Sequence, residues 1–170
     1  MHRHVILVGF MGSGKTTIGG LLGARLGRPF VDLDDRIEAS AGRSISDIFA
    51  ADGEAAFRDL EAEAFAALLQ DAGHPHVIAV GGGAFAQPRN RQAITDAGAT
   101  SVFLECDLEV MRERVAAFTH RPNARDPERF ARLYQERLPA YRLADHVVET
   151  STGTPEEAAA AIAALVENGL

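Results

Sequence analysis

The sequence predicts an α/β fold in which βαβ units surround a parallel sheet. Short apolar runs alternate with longer amphipathic stretches along the chain, an order that is typical of βαβ units. Most of the short runs are apolar at nearly every position, which is typical of strands that are covered on both faces. The predicted strands are residues 4–8, 29–32, 76–80, 100–106 and 146–149.

The amphipathic stretches between these strands are predicted to be helices. The first covers residues 15–26 and ends at Gly27, since glycine often follows the last residue of a helix. The last begins at Pro155, because the first turn of a helix tolerates proline. Between them we predict a short helix after Asp34, one that begins at residues 44–47, and helices at about residues 53–69, 89–97, 108–117 and 128–138.

Residues 117–128 differ from their neighbours in composition. They include two prolines and two arginines and lack a sustained apolar period. Two interpretations are open: a solvated loop between helices, or a mobile lid that lies opposite the phosphate site described below.

Size and charge limit the classes of function. The 170 residues fit one domain, and 46% hydrophobic with 24% charged residues is ordinary for a globular protein. The net charge of -7 argues against a nucleic-acid partner and against docking onto an anionic membrane surface. A nucleotide can still bind, because local amides and a few cations can outweigh distant acidic residues.

The cysteine content and the N-terminal residues suggest a compartment. Cys106 is the only cysteine, so we expect no intrachain disulfide, a reducing environment and a buried thiol in a strand. The apolar run near the N-terminus is far shorter than the ~20 residues of a membrane-spanning helix, and it lacks the pattern of a signal peptide. A cytoplasmic location is therefore expected.

The strongest functional motif is a phosphate-binding loop at residues 9–16. Its sequence, Gly-Phe-Met-Gly-Ser-Gly-Lys-Thr, matches G-x-x-x-x-G-K-[ST] in full. The glycines allow the backbone amides to turn inward around phosphates, and the following helix presents its N-terminus to the same anion. Lys15, the only lysine in the chain, is predicted to reach the β- and γ-phosphates, and the Thr16 hydroxyl is placed for Mg²⁺.

Two carboxylates follow the second predicted strand. In an extended segment, alternation would put Asp32 and Asp34 on the same side, facing the crevice where ligands bind in parallel sheets. One carboxylate could hold a Mg²⁺-bound water while the other accepts the hydrogen of an attacking hydroxyl. The alternative is ordinary helix capping by Asp34 or Asp35.

Arginines and a glycine run are further candidates for the site. Arg58 lies near the start of a predicted helix, where a cation does not favour the helix dipole. The run Gly81-Gly82-Gly83 either allows close approach to the backbone or forms a flexible turn. Arg121, in the predicted lid, could stabilise charge on a transferring phosphoryl group, and Arg137 could pair with a substrate carboxylate. Taken singly, each arginine is more simply explained as a solvated surface residue.

In combination these residues resemble the shikimate kinase family, from about residue 5 to residue 166. Many nucleotide hydrolases and kinases share the phosphate loop, so the loop alone is unspecific. The residues 42–49 look like the substrate-side helix of that family. The more specific part of the resemblance consists of Asp32-Leu33-Asp34, Phe57-Arg58, Gly81-Gly82-Gly83, Arg121-Pro122 and Arg137 ahead of Pro139-Ala140-Tyr141-Arg142.

The resemblance implies a three-layer P-loop kinase fold, similar to that of nucleoside-monophosphate kinases, with a five-stranded parallel sheet flanked by helices and a closing lid. It implies a cytoplasmic monomer that uses ATP and Mg²⁺ to phosphorylate the 3-hydroxyl of shikimate, a step of aromatic amino-acid (chorismate) biosynthesis. One position departs from the family: Asn123 stands where the lid normally has leucine, which could alter lid closure.

The resemblance also implies a role for each site residue. Asp34 would engage the 3-hydroxyl, while Arg58 and Arg137 would hold the carboxylate. The catalytic set would be Asp34, Lys15 and Arg121, and the substrate-binding set Asp34, Arg58, Gly81, Gly82, Gly83 and Arg137. The nucleotide would contact Gly12, Ser13, Gly14, Lys15, Thr16 and Thr17 through its phosphates, Arg121 from the lid, and Arg114 and Pro155 beside the adenine. Thr16 would bind Mg²⁺, and Asp32 would reach the metal through water.

Three alternative functions remain open from the sequence, two of them kinases and one a binding module. A kinase of the same fold could act on another polyol acid such as gluconate, although the glycine run with Arg58 and Arg137 favours shikimate. A nucleoside-monophosphate kinase is less favoured, because no pocket for a second base is evident. A catalytically silent nucleotide-binding module would not need the carboxylate and arginines on the acceptor side.

Overall fold

Five parallel strands form the centre of the structure, a computed structural model that describes residues 3–71, 73–117 and 126–168. The strands lie in the order β2-β3-β1-β4-β5, so β1 is central and pairs with β3 on one side and β4 on the other. Their bounds are Val5–Val8 (β1), Phe30–Asp32 (β2), Val77–Val80 (β3), Thr100–Glu105 (β4) and His146–Glu149 (β5). This arrangement confirms the predicted parallel sheet.

Helices cover both faces of this sheet. Their bounds are Lys15–Leu26 (α1), Leu33–Ala41 (α2), Ile45–Leu69 (α3), Gly82–Ala86 (α4), Pro88–Asp96 (α5), Leu108–Ala116 (α6), Pro127–Tyr141 (α7) and Pro155–Asn168 (α8). None of the helices in the described ranges is long and apolar enough to cross a membrane.

Alternation along the buried strands divides the core into two layers. Val5 and Leu7 of β1 pack with the apolar residues of α1 and α8. Ile6 and Val8 point the other way, into the larger cluster formed by α2 to α7. All four residues are completely buried, as expected for a central strand of a parallel sheet. The prediction of a three-layer fold is therefore confirmed.

Four local predictions differ from the structure. Cys106 is buried as expected, but it follows β4 instead of lying in the strand. The helices predicted around residues 44–47 and 53–69 form one stretch, α3, that is broken at Gly53 (φ 83°, ψ 172°). The glycine run is not a plain turn, because α4 begins at Gly82. Helix α7 continues one turn past the predicted end and contains Pro139.

His4 and His76 stack at the amino-terminal edge of the sheet, directly before β1 and β3. Their ring centroids are 5.7 Å apart, and the ring planes differ by 9°. The His4 Nδ1 atom accepts a hydrogen bond from the His76 backbone N–H at 3.1 Å, so this nitrogen is unprotonated in the folded protein. Burial, and to a smaller extent the nearby His76, lowers the pKa of His4.

We expect the free energy of unfolding to fall as the pH drops below about 6.5, the ordinary pKa of histidine. Because the pKa of His4 is lowered in the folded protein, the unfolded chain takes up this proton more readily. The stability contributed by neutral His4 is therefore present above that pH and is lost below it, by at most about 1.4 kcal/mol per pH unit for one proton. Urea unfolding across a range of pH measures the effect.

Two variants test whether His4 causes this pH dependence. His4→Asn retains an acceptor for the His76 N–H but does not titrate, so its unfolding free energy should depend less on pH than that of the wild type. His74→Asn removes an exposed histidine outside the stacked pair and shows whether the effect is specific to His4. Equal pH slopes for the wild type and His4→Asn would contradict the assignment.

Candidate active site

A cleft of about 620 Å³ lies at the carboxyl-terminal edge of the sheet. Loops or helices that follow β1, β2 and β3 meet there because the strands are parallel, and α6 and α7 close the other side. Two smaller cavities, of about 220 and 190 Å³, lie at the opposite edge. The cleft is lined by Gly9, Met11, Gly12, Gly14, Lys15, Thr16, Thr17, Asp32, Asp34, Ala79, Val80, Gly81, Gly82, Arg114, Val115 and Arg137.

The phosphate loop joins β1 to α1 on one side of this cleft. Gly12 and Gly14 have φ angles of 83° and 98°, which residues with a Cβ rarely adopt. A Cβ on Gly12 would also lie 2.6 Å from the Met111 carbonyl oxygen of α6. The Lys15 Nζ atom donates hydrogen bonds to the carbonyl oxygens of Gly9 at 2.7 Å and Phe10 at 3.2 Å, so the ammonium group lies across the loop.

Ser13 differs from the other residues of the loop. It is completely buried, and its hydroxyl group has no hydrogen-bond partner within the described ranges. Its backbone N–H donates to the Phe10 carbonyl oxygen at 3.1 Å. The buried Ser13 therefore stabilises the turn of the loop through its backbone N–H. A contact between Ser13 and a phosphate stays a prediction.

Asp32 and Asp34 both line the cleft, but for a different reason from the predicted one. The strand ends at Asp32 and helix α2 begins at Leu33, so alternation along an extended segment does not apply. Asp32 is the N-cap residue: its Oδ1 atom accepts a hydrogen bond from the Asp34 N–H at 2.9 Å. The capping role expected of Asp34 or Asp35 therefore belongs to Asp32, and Asp34 lies in the first turn of α2.

The Asp32 carboxylate is suited to a cation. Burial raises its pKa, and the positive charge of Lys15 lowers it by a smaller amount. A cation beside a buried carboxylate favours its charged form. Thr16, the other predicted metal residue, also lines the cleft. A hydroxyl and a carboxylate are the oxygen donors that Mg²⁺ uses together with phosphate oxygens and water, so these residues fit the predicted ion.

The three consecutive glycines each face a different predicted substrate residue. A Cβ on Gly81 would lie 3.8 Å from the Asp34 Oδ1 atom. A Cβ on Gly82 would overlap the Tyr141 hydroxyl and lie 3.0 Å from the Arg137 Nη1 atom. A Cβ on Gly83 would lie only 2.7 Å from the Arg58 Cζ atom. The predicted close approach to the glycine backbone therefore exists, and it brings Asp34, Arg58 and Arg137 around one short segment.

Glu61 holds Arg58 in this position. The Arg58 Nη1 atom donates to both carboxylate oxygens of Glu61, at 2.9 and 3.2 Å. Glu61 is only 2% exposed, and burial raises its pKa while Arg58 lowers it by a smaller amount. The predictions missed Glu61, although its spacing from Phe57 and Phe65 places it on the apolar face of α3. A carboxylate on the apolar face of a helix, three residues after an arginine, indicates a buried ion pair, and this pattern could have predicted the role of Glu61.

Arg58 and Gly83 do not line the cleft itself, and Arg58 lies against Gly83, the residue that follows Gly82. Arg114 lines the cleft and donates to the Gly12 carbonyl oxygen at 3.2 Å and the Thr150 carbonyl oxygen at 2.9 Å. Pro155 is the first residue of α8 and is exposed outside the cleft lining. Arg121, Asn123 and most of the predicted lid, residues 118–125, lie outside the described residues.

Gly82→Ala is expected to destabilise the folded protein by about 1–3 kcal/mol, the usual cost of overpacking a filled core. The added methyl group would overlap the hydroxyl of Tyr141, a completely buried side chain whose ring packs on Phe103 at 5.2 Å between centroids. Thermal or urea unfolding measures the loss.

Gly20→Ala is the matched control for this prediction. Gly20 lies in α1, is exposed and has no atom within 4 Å of an added Cβ, so alanine should be neutral or stabilising there. If Gly82→Ala were as stable as the wild type, the fit of Tyr141 against Gly82 would be refuted.

The family model for shikimate kinase matches residues 11–167 of this chain. The chain is 48% identical to the shikimate kinase of Paramagnetospirillum magneticum over 157 residues, which cover 91% of this chain and 79% of that relative. It is 46% identical to the shikimate kinase of Thermobifida fusca over 163 residues, which cover 93% of this chain and 91% of that relative.

The fold is similar to that of solved kinases. A shikimate kinase from Acinetobacter baumannii in complex with shikimate gives a TM-score of 0.89 at 32% identity, covering 99% of this chain and 95% of that one. A gluconokinase from Sinorhizobium meliloti gives a TM-score of 0.62 at 20% identity, covering 98% of this chain and 94% of that one. The second similarity extends to the fold alone.

Proposed function

The chain belongs to the shikimate kinase family, and from this premise we propose that it transfers the γ-phosphoryl group of ATP to the 3-hydroxyl group of shikimate, giving shikimate 3-phosphate and ADP. The observation that carries the proposal is the convergence at Gly81-Gly82-Gly83. Asp34, Arg137 and Arg58 meet there, beside a complete phosphate loop. A hydroxylated carboxylate needs this combination of one anionic and two cationic groups.

On the nucleotide side, residues 9–17 bind the phosphates. The backbone amides and the N-terminus of α1 offer positive partial charge, and Lys15 adds a full charge close to the group that is transferred. Thr16 and Asp32 would hold Mg²⁺, which when bound neutralises charge on the phosphate oxygens. Arg114, which lines the cleft, would border the adenine in this proposal, and Pro155, which lies outside the lining at the start of α8, would border it as well.

On the acceptor side, Asp34 orients the 3-hydroxyl toward the γ-phosphorus. Transfer through a loose transition state depends mainly on alignment and on charge stabilisation, so Asp34 acts first by positioning the oxygen and accepting its hydrogen bond. Arg137, which lines the cleft, and Arg58, which lies against Gly83, bind the carboxylate of shikimate and so set the orientation of the ring. Glu61 keeps Arg58 in place for this contact.

Exclusion of water completes the proposed mechanism. Water would otherwise compete with the 3-hydroxyl for the phosphoryl group, so residues 117–128 close over the cleft and Arg121 approaches the γ-phosphate. We further propose that the protein is a cytoplasmic monomer, in keeping with its negative charge and with its single cysteine.

A panel of acceptors tests this function. ADP release by the purified protein is measured with Mg²⁺ and ATP in the presence of shikimate, gluconate, a nucleoside monophosphate or no acceptor. Strong stimulation by shikimate alone is the expected result. Stimulation by gluconate or the nucleoside monophosphate would overturn the roles of Arg58 and Arg137, and ATP binding without stimulation by any acceptor would favour a silent nucleotide-binding module.

A further inference from the structure

Thr150 links the end of the sheet to the phosphate loop. It is the first residue after β5, is only 5% exposed, and stands 137 positions after Ser13 in the chain. Its Oγ1 atom lies 3.1 Å from the Ser13 carbonyl oxygen and 3.2 Å from the Glu105 carbonyl oxygen. Its backbone N–H donates to the same Glu105 oxygen at 2.8 Å. The Glu105 oxygen already accepts this N–H, so we assign the single hydroxyl hydrogen to the Ser13 oxygen, which is also the nearer of the two.

A second group holds the neighbouring carbonyl of the loop. The Arg114 guanidinium donates through Nη1 to the Gly12 oxygen at 3.2 Å and through Nη2 to the Thr150 oxygen at 2.9 Å. Arg114 and Thr150 are therefore joined to each other, and together they bind two consecutive carbonyl groups of the loop, those of Gly12 and Ser13.

The direction of these carbonyl groups determines which backbone N–H groups of the loop point toward a bound phosphate. In a trans peptide the carbonyl oxygen and the following N–H point in opposite directions. A hold on the Ser13 carbonyl therefore fixes the direction of the Gly14 N–H. Gly12 and Gly14 have positive φ and no Cβ, so the peptides between them can reorient at little steric cost. A contact from outside the loop can therefore fix the orientation of these peptides. The buried hydroxyl of Thr150 makes such a contact with the Ser13 carbonyl oxygen.

We propose that Thr150 is a positioning residue for the nucleotide: its hydroxyl holds the Ser13 carbonyl outward and so presents the Gly14 N–H to the phosphates. Thr150 does not touch ATP or shikimate and acts through the loop. The inference rests on the proposed function, because it assumes that the loop binds ATP and ADP. It predicts a defect on the nucleotide side of the reaction alone.

The test compares three variants. Thr150→Val removes the hydroxyl but keeps the shape, Thr150→Ser keeps the hydroxyl, and Thr152→Val removes an exposed hydroxyl of the same loop as a control. We expect Thr150→Val to weaken ADP binding in calorimetry about tenfold and to raise the KM for ATP by a similar factor. The KM for shikimate at saturating ATP should stay within about twofold of the wild type, as should all parameters of Thr150→Ser and Thr152→Val.

Three results would overturn the inference while the proposed function stands: unchanged ADP binding by Thr150→Val, an equal loss in Thr150→Ser, or a parallel rise of both KM values, which would indicate a packing defect. If Thr150→Val does not fold, Thr150→Cys, with a weak donor of similar size, replaces it in the same comparison. Failure of the wild-type protein to bind ADP would instead overturn the proposed function, and the inference with it.

Discussion

Replacement of Lys15 by methionine is expected to lower kcat/KM by about 10³-fold, the upper range for loss of one electrostatic group at a transition state. Methionine retains most of the apolar length but supplies no charge to the transferring phosphoryl group. In the structure the ammonium donates to the carbonyl oxygens of Gly9 and Phe10, so it lies across the phosphate loop. Steady-state kinetics with ATP and shikimate measure the loss.

Arg25→Met is the matched control for Lys15→Met. Arg25 lies in the last turn of the same helix, α1, and is exposed, so it should leave kcat/KM unchanged. Thermal unfolding of both variants shows whether a fall in activity comes from the missing charge alone or from a less stable fold. A Lys15→Met protein that is folded and nearly as active as the wild type would exclude Lys15 from the transfer step.

Asp34→Asn is expected to lower kcat by about 10²-fold, in the range of positioned acid–base groups. The amide has the size of the carboxylate but is a weaker acceptor for the 3-hydroxyl hydrogen, so the oxygen is less often aligned with the γ-phosphorus. Binding of ADP should be unchanged, because Asp34 faces Gly81 on the acceptor side of the cleft. Steady-state kinetics and calorimetry test the two halves of this prediction.

Asp35→Asn provides the control within the same helical turn. Asp35 is exposed and does not line the cleft, so this variant carries the same change of charge at the start of α2 without touching the acceptor. Near-normal turnover of Asp34→Asn with shikimate would show that another group aligns the hydroxyl. A loss shared by both variants would point to an effect on α2 as a whole.

Features that depend on neighbouring residues could be predicted from the sequence. The phosphate loop and the alternation of strands and helices along the chain follow from local spacing and residue types, and the glycine run gave close approach to the backbone as one of two alternatives. Asp32 and Asp34 show where a local argument reached the right residues for a wrong reason. The segment Asp-Leu-Asp-Asp suits a strand end and a helix start equally, and only the packing of Leu33 in the core decides between them.

Contacts between distant segments could not be predicted. The links from Thr150 to Ser13 and from Tyr141 to Gly82 depend on which strand is central and how α7 crosses the sheet. Tertiary contacts also override weak local preferences, since α4 begins in a glycine run and α7 continues through Pro139. Burial raises the pKa of Tyr141 to about 12. This effect depends on the folded environment and could not be predicted from the residues next to Tyr141 in the sequence.

The contact between Ser13 and Thr150 has a consequence for biosynthesis. Translation makes the nucleotide loop well before Thr150, which stands 137 positions after Ser13 and directly after β5, and α1, the helix that follows the loop, packs against α8. A nascent chain therefore carries the full phosphate motif long before it has a rigid loop. Full affinity for ATP should therefore arise only after β5 has joined the edge of the sheet and Thr150 can reach the loop.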